Sequence, residues 1–190
     1  MKFEVGDIIS EAALRDNRAL HDSPGGFGGS GWKHLEAVEA FAHALRTRDV
    51  LDYGCGECTL SRVARKRGSH LRIHEYDPAV RGRDRAPKPH GLVVCTDVLE
   101  HVEPALLGNV LGHIRSLALR GAYLVIATRP ANKLLPDGRN AHLIIEDTPF
   151  WLDAVSSVGG WAVERVDDVR KGGVPEGKPH DCRFWVRADA

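Results

Sequence analysis

Residues 51 to 60, LDYGCGECTL, carry two incompatible readings. Gly54 and Gly56 follow a short hydrophobic run, as they would in a strand-to-helix turn that lets a nucleotide lie against the backbone. Cys55 and Cys58 form a C-x-x-C, a spacing that serves zinc or redox exchange. Zinc would want two more ligands at matching spacing, but Cys95 and Cys182 each stand alone inside an apolar run. A redox pair would need its second thiol at a helix start with no competing ligand, whereas here the glycine turn claims the same backbone. The glycines therefore organise the stretch, and the thiols are read as buried or loop-filling.

The flanking sequence supports that choice. DVLDYG reads as a buried strand stopped by glycine, and Thr59 to Lys66 restarts helical spacing. LRIHEYD, GLVVCTDV and AYLVIATRP are three more strands, the last two apolar on both alternating faces, as in strands covered by helices on both sides. Pro104 to Leu119 is a helix with proline in its first turn. After a polar loop at residues 131 to 147, TPFWLDAVSSV forms a helix, and WAVERVDDV and CRFWVRA could pair across the glycine- and proline-rich KGGVPEGKPH. Upstream, residues 7 to 21 are helix-compatible, SPGGFGGSG must break that helix, and Trp32 to Arg46 shows another helical face. The order predicts a single α/β domain, an open sheet with a mostly parallel centre, over residues 32–190, preceded by an N-terminal helix and glycine-rich flap at 1–31.

Composition narrows the function classes. At 190 residues the chain can bury one real core, and 43% hydrophobic with 27% charged residues is ordinary globular usage. The 26 basic side chains balance 26 acidic ones, so net charge gives no case for bulk nucleic acid or an anionic membrane as partner. MKFEVGDIIS lacks the apolar core of a signal peptide, and four scattered cysteines form no disulfide framework; both point to the cytoplasm.

In such a sheet a ligand sits beyond the carboxyl ends of the strands. Glu75 and Asp77, at the end of the second strand, lie about 20 residues past the glycines, the distance at which acidic side chains take ribose hydroxyls. A dinucleotide turn would carry a third glycine where Thr59 stands. Asp52, two positions before the first glycine, would repel a pyrophosphate and welcome an ammonium. The expected ligand is a nucleoside carrying an amino acid.

With these residues in place the chain resembles a class I S-adenosylmethionine-dependent methyltransferase over roughly residues 30 to 190. Asp52, Gly54 and Gly56 match the family's D-x-G-x-G-x-G; Glu75-Tyr76-Asp77-Pro78 matches the end of its second strand; TDVLEHV (96 to 102) and AYLVIATRP match its fourth and fifth strand motifs. The resemblance implies a Rossmann-like sheet of order 3-2-1-4-5-7-6 with the last strand antiparallel, S-adenosylmethionine as cofactor, and Asp52, Gly54, Cys55, Gly56, Glu75, Tyr76, Asp77, Thr96 and Asp97 around it. Three departures stand out. Cys58 replaces the third motif glycine, only the dozen residues AVRGRDRAPKPH separate the second strand from GLVVCTDV, so the third strand is shortened or lost, and GFGGSGWKH is an added segment that suits a flap over the cofactor or, equally, a plain surface loop.

The chemistry is expected in TDVLEHVEP. Asp97, Glu100 and His101 fall at i, i+3 and i+4, one face if the turn is helical. In one reading His101 is a general base beside the transferred methyl and Asp97 closes around the cofactor. In the other, Asp97, Glu100 and His101 hold magnesium or another divalent cation that acidifies a hydroxyl. The second pattern resembles the metal motif of the ubiquinone-pathway O-methyltransferases and of the small-RNA 2'-O-methyltransferases, which add a later histidine, for which His142 is the candidate. LEHV also occurs in metal-independent members, and His142 has packing against Trp151 as its alternative. Arg129, Lys133 and Arg139 cluster in the loop where an acceptor enters and suit an anionic group on it. His34, His43 and His113 are read as ordinary exposed positions. The expected activity is methyl transfer to a hydroxyl, less so an amine, of a small polar acceptor. The alternatives are 2'-O-methylation of a nucleic-acid or nucleotide acceptor, a non-catalytic cofactor-binding subunit, and an NAD-dependent oxidoreductase.

Overall fold

The structure is a computed structural model that describes residues 3–22, 28–170 and 180–189. Strands β1 (Asp49–Tyr53), β2 (Arg72–Tyr76), β3 (His90–Thr96), β4 (Ala118–Ala127), β5 (Trp161–Val169) and β6 (Asp181–Ala188) form one sheet in the order β2-β1-β3-β4-β6-β5. β2, β1, β3 and β4 are parallel, and β6 runs antiparallel to both β4 and β5. This is the expected order with its third strand removed, so β2 becomes an edge.

Alternation along the central strands builds two cores. Leu51, Tyr53, Val93, Cys95, Leu124 and Ile126 face helices α5 (Leu107–Leu117) and α6 (Thr148–Ser156). Val50, Leu92, Val94, Tyr123 and Val125 face α3 (Leu35–Ala44) and α4 (Thr59–Lys66). Each such buried aliphatic or aromatic side chain contributes about 1.5–3 kcal/mol relative to exposure, which is why both faces must be covered.

Element boundaries differ from the sequence reading in three places. The expected helix at residues 104 to 119 is a 3-10 turn, Pro104–Leu106, followed by α5, and β4 begins directly at Ala118. Gly121 permits that early start: a Cβ there would lie 2.4 Å from the Val186 carbonyl on β6. The first helix splits into α1 (Val5–Ile8) and α2 (Glu11–Asp22), because Ile9 is extended and Ser10 Oγ accepts from the Ala13 amide, capping α2. Trp32 to Arg46 opens as a 3-10 turn, Gly31–His34, before α3. His43 is exposed as expected, but His34 and His113 are buried. His113 sits on the inner face of α5, 3.0 Å from the Tyr53 hydroxyl, and His34 packs against the Tyr123 ring.

The β5–β6 hairpin is present; most of its connection, like part of the glycine-rich segment before Gly28, falls outside the described residues. Among the described residues no helix is long and apolar enough to cross a membrane.

Candidate active site

Three successive amides of the glycine loop are committed to the end of β2. The Gly54 and Cys55 amides donate to the Tyr76 carbonyl at 2.8 and 3.1 Å, and the Gly56 amide donates to Asp77 Oδ2 at 3.0 Å. A phosphate cradle would need those amides turned outward, so the loop is built for a different ligand. Gly54 has φ +75°, and a Cβ there would come within 2.4 Å of Val98. Gly56 has φ +47° and lies under Gly28, whose carbonyl accepts from the Glu57 amide. The described part of the glycine-rich segment thus contacts the loop.

Cys58 adopts the left-handed conformation, φ 55° and ψ 35°, at the start of α4. The third motif glycine is replaced at roughly 1 kcal/mol of backbone strain. Its Sγ lies 3.6 Å from Cys55 Sγ, all four cysteines are free thiols, and burial pushes the Cys55 thiol far up. Among the described residues no cysteine joins a cluster of three or more potential metal ligands.

Above the loop opens a pocket of about 740 Å³, its mouth included. Gly54, Gly56, Asp77, Asp97 and His101 line it. Of the other expected cofactor residues, Asp52, Cys55, Tyr76 and Thr96 are buried and do not line it. Glu75 does not line it either: its carboxylate accepts from Ser61 Oγ and pairs with Arg83 Nε at 2.8 Å. Asp77 instead carries the acidic function at the pocket, its second oxygen accepting from the Ala79 amide at 2.9 Å. Burial, then the nearby Glu75 and Asp77 carboxylates, push Asp52 up to about 7. A cationic ligand group beside this trio would return Asp52 to its ionised form.

The sequence reading missed the far wall, which α1 and α2 supply through Ile8, Ile9, Ala13, Asn17 and His21. The signal was present: Ala13, Asn17 and His21 recur at every fourth residue and share one helix face.

Beside the pocket, Glu100, His101 and His142 bring their ligating atoms within 4.8 Å of one another. The Leu143 and Ile144 amides both donate to the Glu100 carbonyl, at 2.7 and 3.0 Å, which folds the loop after β4 back onto the 3-10 turn Leu99–His101. Asn140, unremarked in the sequence, clamps that loop: Oδ1 accepts from the amides of Ala131 and His142, and Nδ2 donates to the Ala131 carbonyl. His142 sits edge-on to His101, ring centroids 4.7 Å apart, not packed as a loop residue on Trp151.

His101 Nδ1 donates to the Ala141 carbonyl at 2.7 Å and His142 Nδ1 to the Arg129 carbonyl at 2.5 Å. In each neutral ring the lone pair therefore resides on Nε2. Burial, then the neighbouring His142, lowers His101 to about 4, and burial lowers His142. Glu100 is fully buried; its Oε1 accepts from the Ala127 amide at 3.1 Å, while Oε2 has no hydrogen-bond partner among the described residues. Burial, then Asp97, pushes its carboxyl far above the usual range. One Glu100 carboxylate oxygen and two imidazoles with their ligating atoms within 4.8 Å of one another make a donor set that fits a divalent cation. Asp97 stands outside the trio, contrary to expectation. It is held at φ 56° and accepts from Ser30 Oγ, and it lines the pocket wall.

His101 also borders a second cavity, of about 360 Å³ with its mouth, shared with Ala13, Asn17, Leu135 and Arg139. Of the three expected cations only Arg139 lines it, paired with Asp137 at 2.6 Å. Arg129 is bonded to His180 and the Pro130 carbonyl instead, and Lys133 does not line this cavity.

A family model described as a methyltransferase domain matches residues 22–166. No curated protein is significantly similar in sequence. Among solved structures, a Burkholderia thailandensis 1,6-didemethyltoxoflavin-N1-methyltransferase with bound S-adenosylhomocysteine superposes with a TM-score of 0.63 at 16% identity, covering 94% of this chain and 88% of that one. A Synechocystis magnesium protoporphyrin IX methyltransferase with S-adenosylhomocysteine gives 0.57 at 16%, covering 95% of each. The methyltransferase domain of bacterial CtHen1 gives 0.55 at 16%, covering 83% and 98%.

Proposed function

Since the chain belongs to the class I S-adenosylmethionine-dependent methyltransferases, we propose that it methylates a hydroxyl group of a small polar acceptor, in the cytoplasm, with a divalent cation held by Glu100, His101 and His142. The observation that carries this reading is the convergence of one carboxylate oxygen of the buried Glu100 and two imidazoles, each fixed through Nδ1 to a backbone carbonyl, beside the pocket.

Methyl transfer from a sulfonium is an in-line displacement in which the carbon is already activated, so the protein must position the acceptor and lower the cost of losing its proton. The bound cation would lower the pKa of a coordinated hydroxyl. Asp77, with Gly54 and Gly56, would hold the cofactor's nucleoside, and the carboxylates around Asp52 would favour its ammonium. His101, bordering both cavities, marks where acceptor and methyl would meet. Arg139 at the rim would favour an acidic group on the acceptor. A ribose 2'-hydroxyl meets the same chemical requirement, and an amine does not need the cation.

The test is transfer of a tritiated methyl group from S-adenosylmethionine to pooled phenols, aliphatic hydroxy acids, amines and a ribose-ended oligonucleotide, each with magnesium or manganese and with chelator. The expected result is hydroxyl methylation abolished by chelator. Chelator-insensitive methylation of an amine would contradict the proposal.

A further inference from the structure

A second cluster of potential metal ligands lies away from the cofactor pocket, toward the amino ends of the strands. The connection from β2 to β3 spans only residues 77 to 89 and lacks the strand that the sheet omits. β2 is consequently an edge paired on one side, exposed or half-buried from Arg72 through Glu75. A short edge strand with one partner is the least secured element of a sheet.

Three side chains converge there from three strands. Asp49 opens β1, His74 lies within β2, and His90 opens β3. His74 Nε2 is 3.1 Å from Asp49 Oδ1, and His90 Nδ1 is 2.9 Å from Asp49 Oδ2. The two imidazoles stack at 4.3 Å between centroids, 28° between planes, and all the ligating atoms lie within 4.8 Å of one another. Ligands about 2.0 Å from one tetrahedral zinc ion sit roughly 3.3 Å apart. The two imidazole-to-carboxylate separations are of that order but fall on different oxygens of Asp49, and the His74 side chain, 52% exposed, has room to turn toward an ion shared with His90 and one Asp49 oxygen. The Arg72 guanidinium lies 3.9 Å from Asp49 Oδ1, but its side chain is 74% exposed and can withdraw into water.

We propose that Asp49, His74 and His90 form a structural site for a zinc-class divalent ion, with water in the remaining position. Two imidazoles and one carboxylate select zinc, cobalt or nickel over magnesium. The ion would join the two strands that flank the trimmed connection, His74 before it and His90 after it, and tie both to β1. A cross-link between residues 74 and 90 closes the very loop from which the strand was lost.

The experiment counts zinc retained by the purified chain after desalting, and follows cobalt binding by its visible absorption, in wild type, His74→Asn and His101→Asn. His101→Asn removes a ligand of the cluster at the cofactor pocket and leaves this one intact. The expected result is that His74→Asn weakens one zinc site at least tenfold with unchanged S-adenosylhomocysteine affinity, and that zinc raises the melting temperature of His101→Asn. Identical zinc stoichiometry and affinity in wild type and His74→Asn would overturn the proposal and leave the three side chains as a hydrogen-bonded tie. Neither outcome bears on whether the cofactor pocket or its own cation works as proposed.

Discussion

At the scale of single residues, burial decides what each ionisable group does. Asp52 is held up to about 7, by burial first and by Glu75 and Asp77 next. Between its ordinary range and that value the folded chain binds more protons than the unfolded chain, so the stability contributed by this residue falls as pH rises through the window. Urea denaturation at about pH 5 and about pH 7 should show a decline in wild type that Asp52→Asn lessens, and saturating S-adenosylhomocysteine should lessen it too by supplying an ammonium. An equal pH dependence in both chains would mean that Asp52 is not the group concerned. Glu100 and His101 are displaced in opposite directions by the same cause, loss of water, so both favour their neutral forms in the absence of a cation.

At the scale of elements, the strands were legible because a central strand covered on both faces is apolar throughout, and β5 was read to its last residue. Helix ends were less so. Nothing in residues 104 to 121 announces that α5 passes into β4 without a turn, because Gly121 answers to a carbonyl on β6, a partner distant in sequence. The same holds for α1 and α2: their residues form a pocket wall only once α1 packs on α5, bringing Ile8 into the core. That wall gives a direct prediction. Ala13→Trp, which fills the space that Ala13 shares with both cavities, should weaken S-adenosylhomocysteine binding at least tenfold in calorimetry while urea stability changes by less than about 1 kcal/mol. Unchanged affinity would remove α2 from the site.

At the scale of the whole molecule, the family sheet survives the loss of one strand because the sheet's share of the pocket lining follows β1, β2 and β3, which pair with one another without that strand. The glycine turn, Asp77, Glu100 and His101 could be picked out by spacing, whereas His142 was a candidate only through the resemblance to the small-RNA 2'-O-methyltransferases. Their division of labour was not legible: Glu75 is drawn off by Ser61 and Arg83, Asp97 by Ser30, and Arg129 by His180, partners that tertiary packing rather than spacing selects. What brings His142 to His101 is the pair of amides on the Glu100 carbonyl together with the Asn140 clamp, contacts that no local pattern encodes. The central claim is that this convergence holds a cation beside the cofactor. Its most direct test is manganese titration, followed by electron paramagnetic resonance, of the S-adenosylhomocysteine-saturated chain in a His74→Asn background, with and without His142→Asn. The account predicts one bound manganese ion with imidazole nitrogen couplings, weakened at least tenfold by His142→Asn at unchanged S-adenosylhomocysteine affinity; manganese affinity that is the same with and without His142, in a chain that binds S-adenosylhomocysteine, would contradict it.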